Sequence, residues 1–113
     1  MAQQSFTVVA SAARTTSSNS GSFDADESQL NILVDVTAAS GVGPTLDLSV
    51  LWSNDGTNFA AADGTADTFA QITVATKKVK RFAVKGAFCR VDWAVAGTTP
   101  SFTFAVSALP TSA

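Results

Sequence analysis

The chain has 113 residues, of which 46% are hydrophobic and only 14% charged, with a formal net charge of −2. That length suits one domain that buries roughly 65% of the surface its unfolded chain exposes, so no metal or disulfide staple is needed. With no histidine and one cysteine, Cys89, the sequence excludes a Ser-His-Asp or Cys-His catalytic arrangement, an ordinary zinc site and an internal disulfide.

Residues 1–4 are polar and uncharged and read as an arm; no basic region followed by an apolar core announces a signal peptide, so synthesis and retention in a cytoplasm are expected. Apolar residues come in short alternating runs, never the stretch of about 20 that spans a bilayer as a helix. Residues 5–12 alternate as a first strand, with Phe6 and Val8 on one face. Residues 14–22, rich in Ser, Thr, Asn and Gly, predict a loop or mobile arm. Residues 23–27 form an acidic turn. Its Asp24, Asp26 and Glu27 could offer oxygens to Ca²⁺, but the twelve-residue loop with glycine and closing glutamate is missing, so a solvated turn is expected and no cofactor is predicted. Residues 29–38 are a strand with Leu30, Ile32, Val34 and Val36 on one face and Asn31, Asp35 and Thr37 on the other. Residues 45–53 follow, with Leu46, Leu48, Val50 and Trp52 inward.

Asn54-Asp55-Gly56-Thr57 carries the Asp-Gly signal of a tight turn, with the chain returning through Asn58-Phe59-Ala60. The string from Ser53 to Phe59 resembles a compressed Asp-box turn, S-x-D-x-G-x-T-W. Its structural role is a side chain of Asp55 or Asn54 bonding the backbone of its own turn. A second turn at 63–66 precedes strands at 68–75, 79–84, 88–95 and 101–109, and Pro110 opens a polar tail, 110–113. β-Branched and small polar residues are common and helix-favouring Glu, Lys, Gln and Arg are scarce, so helix is disfavoured throughout. The expectation is a single all-β domain, 1–113: an antiparallel β-sandwich of about eight strands, jelly-roll or immunoglobulin-like, with polar arms at 1–4 and 110–113.

One pattern is written twice. Val34-Asp35 leads through Gly41 and Pro44 to Val50, and Val91-Asp92 leads through Gly97 and Pro100 to Val106, the spacings differing by a single residue. Each copy reads as strand, glycine-containing loop, proline, strand, which predicts two superposable hairpins with Asp35 and Asp92 in matching places. A paired-carboxylate mechanism is formally open to those two acids, but both fall on the polar face of alternating strands, where solvated or hydrogen-bonded acids are the rule. No catalytic residue is assigned.

Charge is segregated. No basic residue lies between Thr15 and Thr76, where eight acids fall; Lys77, Lys78, Lys80, Arg81, Lys85 and Arg90 then follow with no acid among them. Separation of this kind suits docking on copies of the same chain or on a charged platform, and Lys77, Lys78, Lys80, Arg81 and Lys85 are the candidate interface. Solvated strand faces would account for the same pattern. A lysine-rich edge that discourages strand-to-strand aggregation also accounts for the cluster better than nucleic-acid binding does, since the chain is acidic overall.

LVDVTAASGVGPTLDLSVLWSNDGTNF (residues 33–59) and FCRVDWAVAGTTPSFTFAVSAL (residues 88–109) resemble small structural proteins of tailed bacteriophages. That group pairs a VDVTA-x-SG-x-x-PTL strand-loop-strand with an SPDGT-x-W turn and a late LR-V-x-W-x-V-x-G-T-x-PSFTF hairpin. Here Asn54 stands where the group often has Pro and Phe59 where it often has Trp. The resemblance implies a virion component assembled in a bacterial cytoplasm, and a small acidic chain without catalytic residues or disulfides suits a non-enzymatic capsid- or tail-surface part, first a capsid decoration or cement protein. Its implied partners are the major capsid protein or other virion proteins and copies of itself, a trimer favoured, with no nucleic acid or membrane. A receptor- or glycan-binding fibre module, with Trp52, Phe59 or Trp93 as stacking platforms, and a neck or tail connector are the alternatives.

Overall fold

The computed structural model describes residues 4–25, 27–64 and 66–112. Seven strands form its regular structure: β1 (Phe6–Arg14), β2 (Ser18–Asn19), β3 (Phe23–Asp24), β4 (Gln29–Ser53), β5 (Asp67–Thr68), β6 (Thr76–Ala83) and β7 (Phe88–Thr111). All pairings are antiparallel and no helix occurs among the described residues, as the alternation and composition require.

Two long strands organise everything. β4 has 25 residues and β7 has 24, and they pair with each other from Gln29↔Thr111 to Ser53↔Phe88. Such a ribbon laid straight would span roughly 80 Å at about 3.3 Å per residue. The longest dimension of the molecule is 42 Å, so the ribbon doubles back on itself. Trp93 and Phe104, eleven residues apart on β7, meet edge to face with ring centroids 5.3 Å apart. Two layers result. One contains β1, residues 101–111 of β7, residues 29–40 of β4, and β6; the other contains β2 and β3, residues 88–96 of β7, residues 45–53 of β4, and β5. Their inner faces share a single core that includes Leu30, Ile32, Val34, Leu46, Leu48, Val50, Trp52, Val91, Trp93, Phe102 and Phe104, with Val95 half-buried at its margin.

The repeat is present, but neither copy is a hairpin. Each copy is one strand bent at its middle, and the two copies pair with each other: Val34 faces Val106 and Val50 faces Val91. Asp35, opposite Ala105, and Asp92, opposite Ser49, therefore occupy positions related by a local two-fold axis through the bend. The corner repeats the same backbone on both strands. Gly41 and Gly97 have φ of 109° and 123°, Gly43 and Thr99 have φ of 59° and 50°, and Pro44 and Pro100 follow. Register slips on both sides of the Val42↔Thr98 pair mark bulges, the usual device for carrying a strand from one layer to the next. Glycine and proline redirect the chain here without reversing it, because each strand keeps its partner through the corner.

This bending also corrects the strand count. Four predicted strands merge into β4 and β7, while β2, β3 and β5 are short edge pieces, giving seven instead of about eight; the 68–75 strand is reduced to β5 and a bridge between Leu46 and Ile72. Pro110 and Thr111, assigned to a polar arm by sequence, end β7 opposite Leu30 and Gln29. Of the amino-terminal arm, residues 1–3 lie outside the described residues.

Residues 14–22 depart furthest from expectation. They are a strap along β7, not a mobile arm: Ser17 and Ser20 hydroxyls accept the backbone N–H groups of Val95 and Val91 at 3.0 Å, and the Trp93 indole donates to the Thr16 carbonyl. Hydroxyls here take the place of ladder bonds at a sheet edge, which period-2 patterning does not register.

Candidate interaction surfaces

β6 pairs with β4 alone and so forms an edge of the first layer. Alternation sends Lys77, Val79 and Arg81 to its outer face, while Lys78, Lys80 and the buried Phe82 lie on the side of the core. Lysines turned inward on an edge strand blunt its tendency to pair with foreign strands. Lys77 Nζ binds Asp35 Oδ1 at 3.0 Å, and Arg81 Nε donates to Asn31 Oδ1 at 3.0 Å. Lys80 Nζ reaches across to the Thr68 carbonyl of the second layer, 2.7 Å away, and sits 5.5 Å from the Phe82 ring centroid. Lys85, beyond the strand, binds Asp67 Oδ2 at 2.8 Å and lies over the Trp52 ring; the Trp52 indole donates to the same carboxylate oxygen. Thus the fold does bring part of the acidic and basic sets together, and Lys78 alone of the five candidates makes no ion pair or side-chain hydrogen bond with the described residues.

Beside this edge lies an apolar strip. Leu33 is paired between Val79 and Ser107, and with Leu109 these residues line a shallow depression on the outer face of the first layer. Leu33 is 38% and Val79 68% exposed, with Lys77 and Arg81 on either side of Val79 along β6.

The turn at Asp55 is built from its own side chains. Asp55 Oδ1 accepts from the Ser53 hydroxyl and from the backbone N–H groups of Thr57 and Asn58, and Oδ2 accepts from the Asn58 amide. Ser53 Oγ, nearly buried, accepts from the N–H groups of Asp55 and Gly56. Gly56 has φ of 80°, a left-handed conformation that glycine adopts without strain. Backbone donation from Asn58 and Thr57 holds the Asp55 carboxyl well below the usual carboxylate range. Both Asp55 carboxylate oxygens are engaged inside the turn, which closes on a bridge between Trp52 and Ala60.

On the outer face of the second layer, a trough of about 630 Å³ runs between the 17–19 strap and residues 68–69. Asp47, Ser49, Asp92 and Ala94 line it, the register placing Asp47 opposite Ala94 and Asp92 opposite Ser49. Diagonal neighbours of this kind stand roughly 7–8 Å apart. Asp47 accepts from the Gln71 amide, and Asp92 is held by Arg90 through two bonds of 2.7 and 3.0 Å. No lysine or arginine lines the trough. Asp35 is on the other layer with Lys77, so the two acids of the repeat form no pair.

Sequence reasoning did not find this trough. Its acids fall on the outward register of their strands, but only the β4–β7 pairing makes Asp47 and Asp92 neighbours. Arg14 was missed as well: its guanidinium sits 5.0 and 5.6 Å from the Trp93 and Phe104 ring centroids. Trp52 and Trp93 are buried, and Phe59 is covered by the Arg90 guanidinium at 4.8 Å. Cys89 is buried in the core, and desolvation pushes its thiol up to about 12. Among the described residues no group of three or more His, Cys, Asp or Glu side chains is placed to hold a metal ion. The sequence matches no protein-family model, and no curated protein matches it.

Proposed function

We propose that this protein is a non-enzymatic structural component of a tailed-phage virion, a decoration or cement protein that binds the outer capsid surface and stabilises the shell. The observation that carries a docking role is the outer face of the first layer, where Leu33 and Val79 remain exposed on paired strands, with Lys77 and Arg81 flanking Val79. Apolar contact at the centre with charges at the rim is the composition of a protein interface. The likeness of residues 33–59 and 88–109 to phage structural proteins supplies the virion and its capsid protein as the partner. Contacts that are individually weak gain avidity when a symmetric oligomer repeats them over a shell. A glycan-binding fibre module has less support, since Trp52 and Trp93 offer no free ring face and Phe59 is already stacked.

Quantitative mass spectrometry of purified particles tests the assignment. Hundreds of copies per particle are expected for decoration, whereas about six or twelve would assign the protein to a symmetric neck or tail connector. Val79→Asp should lower occupancy without lowering the thermal midpoint of the isolated domain. Absence of the protein from purified particles would overturn the proposal.

A further inference from the structure

The trough and the β6 edge are complementary in charge. The trough is rich in acceptors, with the carboxylates of Asp47 and Asp92, the hydroxyls of Ser17, Ser18, Ser49 and Thr68 and the amide of Asn19. Its Asp92 charge is matched by Arg90, but among the described residues Asp47 is met only by the neutral Gln71 amide. A group that donates hydrogen bonds and carries positive charge is what such a lining accepts. Lys78 is a cation without an ion-pair partner among the described residues, set on an edge strand next to Lys80.

We propose that the β6 edge of one copy docks into the Asp47–Asp92 trough of a second copy, with Lys78 placed against Asp47. Within one chain Lys78 makes no ion pair with either acid of the trough. Lys80 already touches Thr68 at the trough's rim, which sets edge and trough side by side on the surface. A two-fold arrangement can then make the contact reciprocally, and a head-to-tail arrangement can close it into a ring. This inference deepens the oligomer named in the proposed function.

Sedimentation equilibrium on the isolated full chain tests the contact, with particles absent, so that failure of capsid binding and failure of self-association are read separately. The native chain should self-associate, and more weakly as salt rises, because exposed charge pairs are screened. Lys78→Glu and Asp47→Lys, each turning an attraction into a repulsion, should each weaken association by about tenfold. Combined in one chain, Lys78→Glu with Asp47→Lys restores opposite charges and should recover most of the native association, the signature of direct coupling. Thermal midpoints of the three variants establish that each is folded; a variant that is not is replaced by Lys78→Ala or Asp47→Asn, for which loss without repulsion is expected. A native chain that stays monomeric at all concentrations would overturn the inference. So would single variants that associate like the native chain, or a folded double variant without recovery.

Discussion

Replacing Gly41 with alanine tests the corner on which the two-layer fold depends. At φ 109° an L-residue is strained, and the left-handed region alone costs about 1–2 kcal/mol. The new methyl would also stand 2.7 Å from the Thr99 carbonyl oxygen, 2.9 Å from the Thr98 carbonyl oxygen and 2.9 Å from the Pro100 Cα, all backbone of the partner strand. Shifting packed backbone of this kind costs about 1–3 kcal/mol more. Reduced entropy of the unfolded chain returns about 0.4–1 kcal/mol. A net loss of about 2–4 kcal/mol is expected, a large share of the stability of an ordinary domain. Gly43→Ala is the matched control: its φ is 59°, but no atom lies within 4 Å of the added methyl, so the loss should stay near 1 kcal/mol or below. Gly97→Ala, which meets Gly43 O at 2.9 Å and Pro44 Cα at 3.0 Å, should behave like Gly41→Ala. Urea unfolding followed by tryptophan fluorescence measures all three. A Gly41→Ala loss no larger than that of Gly43→Ala would refute the close approach of the two strands at the corner.

Thr99, the non-glycine residue at positive φ, should tolerate glycine unusually well: relief of about 1 kcal/mol of strain offsets the entropic penalty, and a loss above about 1 kcal/mol would contradict the assigned backbone. Phe104→Ala removes a fully buried ring that meets Trp93 and should cost about 3–5 kcal/mol in the same unfolding assay. Cys89, its thiol raised to about 12 by burial, should resist iodoacetamide at pH 8 in the folded protein and react in denaturant; rapid alkylation under native conditions would show an open core. Because the Asp55 carboxyl is depressed on folding, its contribution is present above the ordinary carboxylate range and is lost only as pH falls through the lower folded value. Carboxyl carbon NMR should therefore find Asp55 still ionised at pH 3, and a midpoint near 4 would show that its turn bonds are not held in solution.

The sequence by itself determined the class of the fold, the larger part of the core and the turn at Asp55, whereas a buried Val9 and an exposed Phe6 depart from the first-strand expectation. Alternation marks which side of a strand is dry, so Leu30, Ile32, Val34, Leu46, Leu48 and Val50 could be assigned inward without knowing any partner. An Asp-Gly turn is equally local, since Ser53, Asp55 and Asn58 bond within a few residues. Partner choice is not local. Glycine followed by proline breaks a regular strand whether the chain then reverses or bends, and only the pairing of Val34 with Val106 and Val50 with Val91 turned two expected hairpins into one folded ribbon. The same long-range pairing set Lys77 on Asp35, laid the Ser17 and Ser20 hydroxyls along an exposed edge, and brought Asp47 and Asp92 into one trough. Each of those arrangements joins residues far apart in the chain, where period and propensity carry no information and register alone decides.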